Sequence, residues 1–371
     1  MNKEGIEKMK KRFPLRRLAA LLLSVMLMAL TACGDKPDTG NTDTPVPPET
    51  DNSLESKVIP WGEQGSIIQQ AVDSKSMIIC FMSGEDLVIK SDAETAFAED
   101  KWGDSALIAF PNGQTMLIDA GMQDYAELLV MNLKAMGITK LDYVVASHRH
   151  NDHVGAMTSQ HGPLYQLEIG QIYSTGILNS SASNPAAIEG AANKLHIPND
   201  YLAKGDTLDI GDVHIEILWP LPGQVKTSTS STEDCNNGSL VMRFDYGDTS
   251  ALFTGDLYKS GEIQMIRELG GDVAKLDVDV LKVPHHGRQT SSSSDLIDAV
   301  SPKVAMATGA IIMEPTIYAQ YAKRGAAVYL DVYDGYVKVT MDGTNVSVEC
   351  SRDRGTIEVY EKFDKAFNIV H

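Results

Sequence analysis

Apolar runs and polar turns alternate densely along the chain from about residue 76. The apolar runs at 105–110 and 115–120 flank the turn Pro-Asn-Gly, which predicts a β-hairpin. The stretch 239–256 has the same character, with a turn at Tyr-Gly-Asp, and predicts a second hairpin. Hairpins of this kind indicate sheets that contain antiparallel strands.

Helical spacing separates these hairpins from further strands. Residues 124–137 repeat apolar positions with a helical period and end on Gly137, which is typical of a helix C-terminus. Residues 141–148 and 278–287 each read as a buried strand followed by histidines, and helix and strand then alternate to about residue 331. This order predicts an α/β (α+β) protein in which mixed sheets carry helices on their outer faces.

The N-terminus has the pattern of an export signal. A basic segment precedes a short apolar run that ends in Leu-Thr-Ala-Cys, and this end resembles the bacterial lipobox. The resemblance implies a lipoprotein signal peptide over 1–32, lipidation of Cys33 and anchoring to the outer face of the cell membrane. An uncleaved signal anchor is the alternative. Residues 33–57, rich in Pro, Asp, Thr and Gly, predict a disordered linker, and 58–371 a hydrolase domain.

Charge and cysteine content narrow the class of protein. The 371-residue chain has a formal charge of −18, and loss of 1–32 removes seven Lys and Arg and two Glu, which leaves −23. A protein that grips nucleic acid along a broad surface is usually basic, so nucleic acid is disfavoured as a partner except close to a metal site. The remaining cysteines Cys80, Cys235 and Cys350 are odd in number and widely spaced, and predict no disulfide framework.

A cluster of histidines and a carboxylate follows the strand at 141–148. Ser147 ends the strand, and His148, His150, Asp152 and His153 come within six positions. Imidazoles and carboxylates are the ligands that divalent zinc, manganese or iron prefer. The first two histidines would face one point and the Asp-His pair another, which indicates two metals side by side. A solvated polar loop is the alternative, and the position directly after a buried strand argues against it.

The motif His-x-His-x-Asp-His resembles the signature of the metallo-β-lactamase superfamily. Leu117–Gly121 matches a motif whose Asp supports the metal loop, Leu252–Asp256 matches a strand-end Asp that bridges the metals, and Val283–Gly287 matches a late histidine motif. The resemblance covers roughly 76–345. It implies a four-layer αββα sandwich with a dinuclear site at the edge of the two sheets.

A narrower resemblance points to phosphate esters. The stretches around Asp104, Asp256 and His286 look like the extracytoplasmic domain of the DNA-uptake protein ComEC, and are also similar to phosphorylcholine esterases of this fold. Two departures stand out. The region at Asn237 lacks a histidine that many superfamily members use as a metal ligand, and residues 310–318 lack a Tyr-Gly-His-Pro stretch that relatives often carry.

The resemblance implies a ligand set for two divalent ions, with zinc expected and manganese or iron as alternatives. Asp256 would bridge both metals, water or Asn237 would complete the first, and His285 and His286 compete for the second, with His286 favoured. Adjacent side chains at a strand end point in opposite directions, so one of the two is expected to reach that metal. The expected metal ligands are His148, His150, Asp152, His153, Asp256 and His286.

The expected activity is hydrolysis of a phosphodiester by a metal-bound hydroxide. Asp152 would orient the hydroxide, and His285 would contact the phosphate or donate a proton to the leaving alcohol. Asn237 and Arg288 are the candidate substrate contacts, and a solvated loop charge is the alternative for Arg288. Asp104 and Asp119 are expected to support the site.

Other functions remain open at this point. A lactonase or β-lactamase of the same fold would normally use the missing histidine, and a metal-bearing binding lipoprotein would have no activity. The candidate substrates are nucleic acid and envelope phosphodiesters, and the sequence does not choose between them. It is also silent on the oligomeric state.

Overall fold

The computed structural model describes residues 57–58, 66–84, 102–309, 313–353 and 358–369. The expected export signal, Cys33 and most of the linker lie outside these residues, as do residues 310–312 of the departing segment. Lipidation, membrane anchoring and the domain limits therefore stay predictions. Within the described residues, no helix combines the length and hydrophobicity that crossing a membrane requires.

Two large sheets and one small one contain the strands. The large sheets have the orders β1-β18-β17-β2-β3-β4-β5-β6-β8 and β16-β15-β14-β13-β12-β10-β9, and β7 pairs with β11. The strand bounds are β1 Lys57–Val58, β2 Met77–Phe81, β3 Ala106–Ala109, β4 Thr115–Ile118, β5 Lys140–Ala146, β6 Glu168–Ser174, β7 Leu178–Asn179, β8 Asn199–Tyr201, β9 Thr207–Ile210, β10 Val213–Trp219, β11 Ser228–Thr229, β12 Val241–Tyr246, β13 Thr249–Phe253, β14 Val280–Lys282, β15 Val304–Ala307, β16 Ala327–Leu330, β17 Val337–Met341 and β18 Val346–Cys350.

Helices connect these strands and cover the sheets. Single 3₁₀ turns lie at 123–125, 222–224, 273–276 and 284–287. The α-helices are α1 Ile67–Ser74, α2 Ala126–Ala135, α3 Asn151–Val154, α4 Pro163–Gln166, α5 Ala187–Leu195, α6 Thr232–Asn237, α7 Lys259–Glu268, α8 Ser294–Val300, α9 Pro315–Ala322, α10 Asp331–Asp334 and α11 Glu358–Phe367.

Three apolar clusters define the layers of the fold. One lies between the two sheets and takes its side chains from both, among them Phe81, Ile118 and Phe253. A second joins the nine-stranded sheet to α1, α2 and α5, and a third joins the seven-stranded sheet to α7, α8 and α9. Each sheet thus buries both faces. The expected four-layer αββα arrangement is confirmed.

Local sequence signals correspond to the observed elements. Both predicted hairpins form: β3 pairs antiparallel with β4, and β12 with β13. The helix predicted over 124–137 is observed as α2, and Gly137 follows it with φ +86°. Ser293 caps α8, since its hydroxyl accepts a hydrogen bond from the N–H of Leu296.

The candidate site lies where parallel strands of the two sheets end. Strands β4, β5 and β6 run parallel in one sheet, and β13, β14 and β15 in the other. Asp119 and Ser147 follow β4 and β5 in the first sheet, while Asp256 and His286 follow β13 and β14 in the second. Ligand sites of α/β proteins commonly lie at the carboxyl ends of such strands.

Candidate metal centre

The histidine motif forms a bend between β5 and α3. His148 lies just after the strand, and the short helix α3 begins at Asn151 and carries Asp152 and His153. The side chains of His148 and His153 are buried, whereas those of His150 and Asp152 are partly exposed. The motif therefore turns its histidines inward at the edge of the sandwich.

Asp119 fixes the orientation of this loop from the neighbouring strand. Its Oδ1 accepts a hydrogen bond of 2.8 Å from the backbone N–H of Ser147, and its Oδ2 accepts one of 2.6 Å from the Ser147 hydroxyl. The same Oδ2 lies 2.7 Å from Nδ1 of His153. The ring of His153 is thereby held with its Nε2 towards the centre of the site. This contact agrees with the supporting role expected for Asp119.

Asp104 holds His286 in a parallel manner. Its Oδ1 lies 3.0 Å from Nδ1 of His286, and that nitrogen is also 3.0 Å from the carbonyl oxygen of Thr308. The backbone N–H of Asp104 donates a 2.8 Å hydrogen bond to the carbonyl of Asp152, which connects it to the histidine motif. Two buried histidines from different sheets are each oriented by a carboxylate, the arrangement common around metal-ligating histidines.

Asp256 lies at the centre of the imidazoles. Its Oδ2 is 3.2 Å from Nε2 of His153 and 3.3 Å from Nε2 of His286. The Nε2 atoms of His285 and His148 are 3.8 and 4.0 Å away. His150 joins through its Nδ1, 3.0 Å from Nε2 of His148. One carboxylate oxygen thus faces four imidazole nitrogens.

The described residues include a group that would accept a metal ion. Asp104, His153, Asp256 and His286 are buried and each offers a ligand atom within 4.8 Å of the others. The Nε2 atoms of His153 and His286 are buried and have no hydrogen-bond partner in the described part of the chain. Buried polar atoms normally have hydrogen-bond partners, so these two nitrogens fit the role of metal ligands. Asp152 is adjacent, with its Oδ2 3.5 Å from Nε2 of His286.

The electrostatics of these side chains also favour a cation. Burial disfavours the charged forms of His153 and His286, yet Asp256 and its neighbouring carboxylates outweigh burial and raise the pKa of each imidazole to about 9. Burial alone would raise the pKa of Asp256, but His153, His286 and Lys282 hold it well below its usual range. The surrounding carboxylates therefore favour positive charge at these nitrogens, the same condition that favours a bound cation.

The two late histidines differ from the strand-end geometry expected for them. His285 and His286 lie in a 3₁₀ turn with φ values of +49° and +57°, so the alternation of a strand does not apply. Both rings approach Oδ2 of Asp256, and His285 also contacts Thr290 through its Nδ1, at 2.5 Å. The strand-end argument for choosing between them therefore does not apply. His286, and not His285, belongs to the buried group with Asp104, His153 and Asp256, so the choice of His286 as the ligand stays a prediction that this group supports.

The pKa of His285 differs from that of His286 because Asp256 is the one carboxylate that raises it, whereas both Asp256 and Asp104 raise the pKa of His286. Burial, with the positive charges of His286, Arg288 and Lys282, lowers the pKa of His285 to about 4, although Asp256 opposes this. A lowered pKa favours the uncharged form of His285, in which one ring nitrogen carries a proton and the other can accept one. Its expected contact with phosphate is compatible with this geometry, and its expected donation to the leaving group stays a prediction.

The expected substrate contacts lie at the rim. The side-chain amide of Asn237 donates to Ser260 at 3.0 Å and accepts from the N–H of Gly261 at 3.1 Å, so it caps the start of α7. Arg288 is exposed and follows the histidine turn directly. Both assignments stay predictions, and the amide of Asn237 is already engaged in hydrogen bonds.

Sequence reasoning missed two charged residues of the site. Lys282, in the apolar run before the late histidines, is 5 % exposed and forms an ion pair with Asp104. Arg149, the variable position between His148 and His150, is buried and forms an ion pair with Glu189 of α5 at 2.7 Å. A charged residue within a buried strand is a signal that would have singled out Lys282.

Comparison with known sequences places relatives of the chain among competence proteins. The chain is 26% identical over 237 residues to ComE operon protein 3 of Bacillus subtilis (strain 168), a match of 59% of this chain and 28% of that protein. It is 31% identical over 207 residues to competence protein ComA of Neisseria gonorrhoeae, covering 56% and 25%. The expected likeness to ComEC is confirmed, and the chain spans about a quarter of the length of these relatives.

A family model described as anti-Pycsar protein Apyc1 matches residues 93–161, which include the histidine motif. Solved structures with a similar fold include the metallo-β-lactamase fold protein YhfI from Bacillus subtilis, with a TM-score of 0.42, 12% identity and coverage of 68% of this chain and 96% of that one. Another is Tm1679, a metal-dependent hydrolase of the β-lactamase superfamily, with a TM-score of 0.41, 14% identity and coverage of 68% and 95%.

Proposed function

We propose that this protein is a metal-dependent hydrolase whose substrate is a phosphodiester, and that it acts outside the cell membrane as a lipoprotein anchored through Cys33. The observation that carries the proposal is the position of Oδ2 of Asp256, which faces the buried Nε2 atoms of His153 and His286 at 3.2 and 3.3 Å. Nitrogen and carboxylate donors arranged in this way are typical of catalytic divalent metals.

Six side chains would hold the metals, and their supports are in place. A divalent metal bound here supplies an acidified water and positive charge for the phosphate oxygens. Asp119 and Asp104 keep the rings of His153 and His286 turned inward. The metal-holding set is His148, His150, Asp152, His153, Asp256 and His286.

The reaction itself needs little further chemistry from the protein. The oxygen of a water forms a bond to phosphorus while the phosphorus–oxygen bond to the leaving alcohol breaks, and a proton passes to the departing oxygen. The products are a phosphate monoester and an alcohol. Asp152 would orient the water. The backbone carbonyl of Asp152 accepts a hydrogen bond from the N–H of Asp104, which holds the Asp152 loop in place. Arg288, exposed beside His285, is placed to attract a phosphate oxygen.

Two substrate classes fit this proposal. The relatives named for competence support nucleic acid. The formal charge of −18 on the chain opposes binding of a long polyanion and favours a small or zwitterionic envelope phosphodiester. Added salt would relieve this repulsion, so rising activity on DNA with ionic strength would identify charge as the barrier.

A comparison of substrates tests the reaction class. The full-length chain in detergent is supplied with zinc or manganese and given a chromogenic bis-aryl phosphate, an aryl lactone and a chromogenic β-lactam. We expect metal-dependent hydrolysis of the phosphodiester alone. Hydrolysis of the lactone or β-lactam instead would contradict the substrate class, and metal binding without any hydrolysis would contradict the enzymatic role.

A further inference from the structure

Lys282 is a buried ammonium group inside the sandwich. It is the last residue of β14, where Val280 packs between the sheets and Leu281 faces the outer helices. Alternation along the strand directs Lys282 to the inner side, like Val280. A lysine is rarely buried without partners, because an unpaired ammonium in this position is strongly destabilising.

The three donors of the ammonium meet three acceptors. Nζ forms an ion pair with Oδ2 of Asp104, donates a 2.9 Å hydrogen bond to the carbonyl of Gly255, and lies 3.4 Å from Oδ1 of Asp256. A protonated lysine offers three donors, so its capacity is filled. These acceptors lie in the loop before β3 and just after β13. Lys282 therefore connects two segments of the chain that belong to different sheets.

Each carboxylate presents its second oxygen to a histidine. Asp104 uses Oδ1 for Nδ1 of His286, at 3.0 Å. Asp256 uses Oδ2 for Nε2 of His153 and of His286, at 3.2 and 3.3 Å. On Asp256 the ammonium thus takes one oxygen and the imidazoles the other, whereas Oδ2 of Asp104 lies near both Lys282 and, at 3.8 Å, Nδ1 of His153.

We propose that Lys282 is a positioning residue that determines which carboxylate oxygen meets the metal. The contact of Lys282 with Oδ1 of Asp256 leaves Oδ2 of that carboxylate to face the metal position. The ion pair of Lys282 with Asp104 keeps Asp104 in contact with His286. The inference rests on the metal-dependent function proposed above and adds to it the residue that prearranges the ligands. Lys282 contacts neither metal nor substrate in this account.

The direction in which metal affinity changes when Lys282 is replaced distinguishes a positioning role from electrostatic repulsion of the metal. Removal of a positive charge close to a cation site would tighten metal binding if electrostatic repulsion were its main contribution. Loss of positioning would weaken it, because Asp256 and Asp104 would no longer be held in place. Changes to residues that orient ligands typically lower metal affinity 10- to 100-fold.

The experiment compares Lys282→Met with Lys338→Met in the full-length chain. Lys338 is a matched control, because it is also a strand lysine, 6 % exposed and ion-paired to Glu349, but it lies on β17 away from the site. Zinc affinity is measured by competition with a chromophoric chelator, and the cobalt-substituted proteins are compared by their visible absorption. We expect Lys282→Met to bind zinc about 10- to 100-fold more weakly with an altered cobalt spectrum, and Lys338→Met to match the wild type in both.

The remaining outcomes distinguish the two proposals. Unchanged or tighter zinc binding by Lys282→Met, with an unchanged cobalt spectrum, would overturn the positioning role while the wild type still bound metal and hydrolysed phosphodiester. A wild type that binds no zinc would overturn the proposed function and this inference together.

A crystal structure of the zinc-loaded wild type decides the question even when the Lys282→Met chain does not fold. We expect Lys282 on Oδ1 of Asp256 and zinc on Oδ2. Zinc bound to Oδ1, with Lys282 displaced, would overturn the inference.

Discussion

Nδ1 of His153 lies 2.7 Å from Oδ2 of Asp119, and that carboxylate also accepts two hydrogen bonds from Ser147. Asp119, the residue that follows β4, therefore orients both Ser147 at the start of the histidine motif and His153 at its end. The free Nε2 of His153 then faces Asp256. This relationship predicts that metal binding depends on the supporting carboxylate as well as on the ligands.

Replacing Asp119 by Asn should weaken metal binding while the fold is kept. The amide is isosteric, but it lacks the charge and the second acceptor that His153 and Ser147 share. We expect zinc affinity to fall about 10- to 100-fold, measured by chelator competition.

A second aspartate–histidine pair provides the control. Oδ1 of Asp209 lies 2.7 Å from Nδ1 of His214, but both side chains are exposed, by 74% and 49%. Asp209→Asn should leave zinc affinity unchanged. Equal losses in the two variants would show that the Asp119 contact has no special role.

Gly103 should not tolerate a side chain. Its φ is +84°, and a Cβ there would lie 2.1 Å from the carbonyl oxygen of Asp152 and 2.9 Å from Cα of Gly121. Gly205 also has a positive φ, +96°, but a Cβ there would meet nothing within 4 Å. Comparing alanine substitutions at Gly103 and Gly205 therefore separates the cost of a positive φ from the cost of a steric clash.

Accordingly, Gly205→Ala should lower the free energy of unfolding by about 1–2 kcal/mol, the cost of a left-handed residue. Gly103→Ala should lower it further and should also reduce zinc affinity, since Asp152 must move. Urea titration and chelator competition measure the two effects. If Gly103→Ala bound zinc like Gly205→Ala, the close approach to Asp152 would not control the site.

Arg149 should contribute more to stability than an exposed arginine. Its guanidinium is buried and bonds to Glu189 at 2.7 Å and to the hydroxyl of Ser174 at 3.1 Å. Arg149→Met removes the charged partner of Glu189, which keeps only the hydroxyl of Tyr201 at 3.5 Å. Breaking a fully buried pair typically costs about 3–5 kcal/mol, and the loss here should be smaller because the Glu189 side chain is 20% exposed.

The matched variant is Arg324→Met, which breaks the more exposed pair with Asp298. Loss of that pair should cost no more than about 1 kcal/mol. Urea unfolding of both variants measures the difference. Similar destabilisation by both would argue against Arg149 as the anchor of the histidine motif on α5.

Cys80 and Cys235 should be unreactive in the folded protein. Burial raises the pKa of Cys80 to about 12, despite the opposing charge of Lys338, and burial raises the pKa of Cys235 to about 11. Because only the thiolate reacts, a raised pKa lowers the reactive fraction at any pH below it. Alkylation at pH 8, read by mass spectrometry of each peptide, should be slow until urea unfolds the chain. Labelling at the unfolded rate in the native protein would contradict this burial.

The layers of the fold were predictable because they depend on local signals. Turn residues such as Asn112 and Gly247 join alternating or apolar runs of strand length, and Gly137 follows a helix with clear periodicity. Pairing between distant strands is not written in any one segment. The four-layer arrangement therefore rests on the resemblance to a known fold rather than on the pattern, and the strand order within each sheet was not predicted.

The candidate ligands were predictable, but their supports were only partly so. His148 and His153 stand out because they share one short motif after a strand. The roles of Lys282 and Arg149 depend on Asp104 and Glu189, which are distant in sequence. The spacing of residues along the chain therefore does not indicate these ion pairs. The turn at His285 could not be predicted, because positive φ values at two successive histidines are not indicated by the residue types.

The most direct test of the account measures metal content and phosphodiester hydrolysis together in the wild type and in Asp256→Ala. We predict that the wild type binds divalent metal and hydrolyses a bis-aryl phosphate, and that Asp256→Ala remains folded but loses both properties, because its carboxylate faces every buried imidazole of the site. A variant that keeps full hydrolytic activity, or a wild type that hydrolyses the substrate equally well after complete removal of metal, would contradict it.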